Sequence, residues 1–152
     1  MKKKLGTQDR IHNPIPGILC LLCGSQLETH EHLFFQCTAS KQVWNLVQTK
    51  ADIQVPVLPW DQLIVWLATN WKGNMLSMQI RKLCLSSMIY LLWRDRNQRF
   101  HTNSVSRLDE IALSIIEQVR LKLSTYRRVE ASDLNKSHQG RLRLPDSIFV
   151  KS

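Results

Sequence analysis

Beyond residue 38, apolar residues recur mostly at helical spacing, and the breaks between these stretches collect proline, glycine and capping residues. Between Ala39 and Ala51, Val43, Trp44 and Val47 share one helix face, with Thr38 or Ser40 placed as an N-cap. Residues 52–59 carry Pro56 and Pro59 and read as a linker. A second helix runs from Trp60 to Asn70, with Leu63, Ile64, Trp66 and Leu67 as its apolar side and Lys72-Gly73-Asn74 as its stop. From about Met75 to His101 a single long helix is expected to be the central one. Its apolar residues Leu76, Ile80, Leu83, Cys84, Met88, Leu91 and Leu92 are widened by Leu85, Ile89 and Trp93. After the capping-rich break 102–106, Ser104 or Ser106 opens a helix to about Tyr126. It carries a stripe of Leu108, Ile111, Ala112, Ile115, Val119 and Leu123, suited to a hairpin with the preceding helix or to a second copy of the chain. Residues 128–152 show no such register and read as a loosely held tail.

The stretch before the first helix follows another logic. Cys20, Cys23, His32 and Cys37 stand as C-x2-C-x8-H-x4-C, holding three of the four cysteines within one short loop. A d10 cation takes four tetrahedral soft or borderline ligands, and a chelating Cys-x-x-Cys pair followed by Gly24 lets the backbone turn around it. The alternative is that Cys20 and Cys23 are small buried hydrophobes and that His30 and His32 are surface residues. A redox Cys-x-x-Cys would call for βαβ alternation, which is absent from the sequence. Two histidines compete for the third ligand position. His32 has the x4 spacing to Cys37, with Leu33-Phe34-Phe35 beside it to pack beneath the site, which leaves His30 to solvent or to a supporting role.

The run from Cys20 to Cys37, continued by Ser40 and Val43-Trp44, resembles the zinc-binding domain at the carboxyl end of plant non-LTR (LINE-type) retrotransposon reverse transcriptases. Leu5 to Ile11 resembles that family's approach to the first cysteine, and Leu92 to Phe100 its Trp- and Arg-containing helix end, one residue short. The likeness spans roughly residues 5 to 100, with Leu21 where the family often has proline. It implies zinc as cofactor and Cys20, Cys23, His32 and Cys37 as its ligands. It also implies a retrotransposon-derived fragment lacking the polymerase, with a role in gripping RNA or DNA.

The fold class expected is therefore mainly α: a small Cys3His zinc loop, a bundle of about four helices and a flexible basic carboxyl-terminal tail. The organisation reads as a basic lead-in at 1–19, zinc loop and first helix at 20–50, a packed helical region at 51–127 and the tail at 128–152. Net charge is +9, and the excess lies in residues 1–19, 71–101 and 102–152, while 20–70 is net acidic. This balance favours nucleic acid as partner, through helices and termini rather than the zinc loop. Arg94, Arg96 and Arg99 are the candidate phosphate contacts, with a solvated charged face as the alternative.

Catalysis is not expected. No adjacent Asp-Asp pair exists for two-metal chemistry, the acids are scattered, and a Cys3His set is the closed, structural kind. The competing function is a zinc-stapled protein-interaction or self-association module, with no small-molecule substrate. The longest uncharged apolar run, Leu83 to Trp93, is too short for a membrane span. No signal-peptide pattern follows Met1, and one thiol, Cys84, is left outside the motif, so an intracellular, reducing and nuclear-compatible setting is expected.

Overall fold

A computed structural model describes residues 17–149 apart from 57, 73–75 and 128. The expectations for residues 1–16, for the stop at Gly73-Asn74, for a helix start at Met75 and for residues 150–152 lie outside the described residues. Five α-helices are present among them: α1 Thr38–Ala51, α2 Trp60–Asn70, α3 Leu76–Thr102, α4 Leu108–Ser124 and α5 Asp133–Leu142. A π-turn at His32–Gln36 precedes α1 and a 3-10 turn at Asp146–Ile148 follows α5. No strand forms among the described residues, only isolated antiparallel (Leu19 with Leu27) and parallel (Val129 with Phe149) bridges.

The expected hairpin forms between α3 and α4, turning at Asn103, whose φ of 53° is one that Asn tolerates better than most residues. The capping differs from expectation. Cys37 is the N-cap of α1 and Arg107 that of α4, whose backbone N–H donates to Glu110 Oε2 at 3.4 Å.

The periodic stripes make the core. Ile80, Cys84, Met88 and Leu92 of α3 meet Ile111, Ala112, Ile115, Val119 and Leu123 of α4, while Val43, Val47 and Ala51 of α1 complete the apolar layer. Because α4 packs against both α1 and α3, it shares the central place expected for α3 alone.

Two expectations are corrected. The first concerns α2, which buries only Leu63; Trp66 and Leu67 are half-buried and Ile64 is 43% exposed, so the helix lies along the edge of the bundle with its apolar side only partly covered. The second concerns the tail. Over 129–149 it is anchored rather than loose: Leu142, Leu144 and Ile148 are buried in the common core, and Val129 N–H donates to Ile148 O at 2.9 Å. Ser132 caps α5 by accepting from Asn135 N–H, and Gln139 closes the far end by donating to Leu144 O at 2.8 Å. Burying three aliphatic side chains contributes roughly 1.5–3 kcal/mol each, enough to hold a segment whose own helix is only three turns.

Candidate metal centre

The zinc loop is a tight turn laid against the start of the bundle. Cys20 N–H donates to Gln26 O and Glu28 N–H to Ile18 O, so a short hairpin carries both first cysteines. Gly24 N–H closes the knuckle on Cys20 O at 2.7 Å, with a φ of +67° that explains a glycine at this position. From there Thr29 Oγ1 accepts from His32 N–H at 3.0 Å and starts the π-turn, and Cys37 N–H returns to His32 O at 2.7 Å. The π-turn therefore fixes the distance between the last two donors.

Cys20 Sγ, Cys23 Sγ, a ring nitrogen of His32 and Cys37 Sγ all lie within 4.8 Å of one another. Cys20 Sγ stands 3.8 Å from Cys37 Sγ, and Cys23 Sγ stands 3.3 Å from His32 Nε2. Zinc–sulfur bonds of about 2.3 Å at tetrahedral angles separate two sulfurs by about 3.8 Å, whereas a disulfide would need about 2.05 Å. All four cysteines are free thiols. The donor set thus fits zinc in distance, number and softness. His32 is the histidine brought in, while His30, two residues earlier, is not among the converging donors.

Without a cation the thiols cannot share charge evenly. The hydrogen bond between Cys20 and Cys37, together with burial, pushes the Cys20 thiol up and keeps it protonated. The same bond pulls Cys37 down to about 4, helped by the backbone N–H groups of Ser40 and Ala39 at the start of α1. Burial opposes ionisation of Cys23, but the Ser25 hydroxyl and backbone N–H and the His32 ring outweigh it and lower its pKa. Cys37 is thus poised as a thiolate, Cys23 is shifted in the same direction, and Cys20 has to give up its proton when zinc binds.

What supports the donors comes from far along the chain. Glu28 accepts from Arg96 at Nη2, 2.6 Å, and Nε, 2.8 Å, through the same carboxylate oxygen, and its other oxygen accepts from Leu21 N–H at 3.3 Å. The Arg96 guanidinium also lies over Trp93 and Phe100, 5.4 and 5.2 Å from the ring centroids. One helical turn further on, Arg99 pairs with Asp95 at 2.7 Å and donates to the carbonyls of Leu21 and Leu22 between the two cysteines. Asp95 in turn accepts from Ser106 N–H at 3.2 Å, tying the α3–α4 turn into the same network.

This corrects the reading of the three arginines as one phosphate-facing set. Arg94 alone is exposed, whereas Arg96 is buried and Arg99 is largely covered, both committed to the loop that carries the zinc ligands. Sequence reasoning missed Glu28, and the signal for it was faint: one of two acids inside the metal motif, with Glu31, and a cluster of arginines at the end of α3 whose partner no spacing reveals. Among the described residues, no helix is long and apolar enough to cross a membrane.

No curated protein and no solved structure matches the chain significantly. The family model described as zinc-binding in reverse transcriptase matches residues 1–44, a segment that ends within α1 and excludes the clamp residues of α3. All four donors fall inside it, and over residues 1–44 the chain is therefore similar to that zinc-binding family, with a Cys3His cluster able to hold zinc within the matched segment.

Proposed function

We propose that this chain derives from a LINE-type retrotransposon reverse transcriptase of plants and acts as a zinc-organised module that binds RNA or DNA. The observation that carries the reading is the coincidence of the reverse-transcriptase family match with a four-donor cluster inside it. Three thiolates and an imidazole fill a tetrahedral ion, so the metal's part is structural, and binding rather than catalysis is the function that goes with it. A net charge of +9 supplies attraction for phosphate, with Lys41, Lys82, Arg94 and Lys122 among the exposed cations. A nuclear site of action accords with this reading.

The test is a salt titration of binding to labelled single-stranded RNA, single-stranded DNA and duplex. A log–log slope of about −2 or steeper would correspond to three or more phosphate contacts on a single strand. Flat, weak binding to every strand would refute the reading.

One observation favours a second role as a protein-interaction module. Leu113 and Leu121 on the outer side of α4 are 52% and 59% exposed, two turns apart. Self-association or capture of a protein partner that disappears in a Leu113→Lys, Leu121→Lys variant, together with salt-independent nucleic-acid binding, would decide for it.

A further inference from the structure

A cavity of about 130 Å³ lies where α1, α2, α3 and the π-turn meet. Its walls are Phe34, Phe35 and Trp44, with Leu67 from α2 and Met88 from α3. Lys41, Asn45 and Gln48 follow one another along the α1 face that borders it. Lys41 and Asn45 are exposed, which places the mouth on that side of α1. Gln48 Oε1 already accepts from Val55 N–H at 2.7 Å, leaving its amide N–H groups to donate. Asn45 offers both a donor and an acceptor.

These features define a ligand by size and chemistry. An apolar cavity of about 150 Å³ takes one benzene ring, so a space of this order holds a single six-membered ring and is too small for a fused pair. Flat aromatic walls suit a planar ring, the two amides suit its polar edge, and the lysine suits an anion attached to it. The way in is the mouth beside Lys41 and Asn45 on the exposed side of α1.

We propose that this cavity receives an unpaired pyrimidine base, with Asn45 and Gln48 at its edge and Lys41 at its phosphate. The inference rests on the nucleic-acid reading above and adds base selectivity to it. The base can come from a single strand or from a free nucleotide, and the two sources are separable.

The experiment measures binding of the zinc-loaded chain to oligouridylate, oligoadenylate and an abasic strand, each of about 12 nucleotides, with uridine monophosphate as competitor. Two variants accompany it: Asn45→Trp, which obstructs the mouth from an exposed helix position, and Leu67→Trp, which fills the space from α2. Oligouridylate is expected to bind about tenfold tighter than the other two strands. Either variant should reduce it to the abasic level while zinc content and the slope against salt stay unchanged. Competition by the free nucleotide at a matching concentration would identify it as the ligand, and none would assign the base to a strand. Equal binding of all three strands, or unchanged binding in both variants, overturns the cavity's role and leaves nucleic-acid binding standing. Failure of every strand together with the nucleotide overturns both readings, and binding of the nucleotide alone overturns only the strand.

Discussion

Glu28 and Arg96 are 68 positions apart and meet at 2.6 Å with side chains only 5% and 9% exposed. Truncating Glu28 to Ala leaves a buried guanidinium without its counter-charge, which costs about 3–5 kcal/mol. Arg96→Met leaves the buried Glu28 carboxylate with Leu21 N–H as its remaining donor, and the expected cost is again about 3–5 kcal/mol. Removing both together leaves no orphaned charge, and replacement of a buried ion pair by apolar groups is often near neutral. The double variant should therefore lose only a few kcal/mol, chiefly packing and the cation–π contacts of Arg96 with Trp93 and Phe100, giving a coupling energy of about 3 kcal/mol or more. Urea unfolding at saturating zinc and pH 7, followed by far-ultraviolet circular dichroism, measures all four corners of the cycle. Because Glu28 also holds Leu21 N–H beside the first cysteine, Glu28→Ala should weaken zinc binding by about 10- to 100-fold in a chelator competition. Additive single effects, with coupling below about 0.5 kcal/mol, would refute the clamp. Unchanged zinc affinity in Glu28→Ala would refute its link to the metal site.

His32→Ala should abolish stoichiometric zinc binding and His30→Ala leave it intact, and equal losses by elemental analysis would remove His32 from the ligand set. Cys37→Ser should weaken metal binding and unfold at least residues 20–50, read as loss of helical dichroism and of slow amide exchange there; a folded loop in that variant would contradict a metal-dependent site. Leu142→Ala should cost about 2–5 kcal/mol in urea unfolding, whereas a loose tail would tolerate it within about 0.5 kcal/mol. Burial pushes the His138 imidazole below its ordinary value, opposed by Asp52 and reinforced by Arg81 and Arg141. The folded state thus resists protonation: this contribution is fully present above about pH 6.5, the ordinary histidine value, and is lost as pH falls from there towards the lowered folded value. The wild-type urea midpoint should therefore drop relative to His138→Asn between pH 8 and 5.5, and parallel pH profiles would exclude the mechanism.

How much of this was legible in one dimension depended on the range of the interaction. The metal donors were readable because four ligands within 18 residues are a local constraint, and the spacing of His32 to Cys37 matched what the π-turn imposes. The helices α1, α3 and α4 were readable because 3.6-residue periodicity marks a face that must be covered, and Ile111, Ala112, Ile115, Val119 and Leu123 are all buried as that pattern requires. Periodicity could not say how thoroughly a face would be covered. The stripe of α2 looks like the others, yet only Leu63 is buried, while Trp66 and Leu67 are half-covered and Ile64 is exposed. Nor could it detect Leu142, Leu144 and Ile148, which have no common period and become core only because α1, α3 and α4 leave a place for them. Charge was the least legible property: sequence identifies Arg96 and Arg99 as cations, but which anion each one meets depends on where α3 passes the zinc loop. The sequence by itself determined the metal chemistry and the helical framework, both products of short-range spacing. Only the tertiary structure decided that the arginines hold the metal loop, that the carboxyl-terminal segment completes the core and that an aromatic-walled space remains beside α1, because each depends on surfaces brought together across the chain.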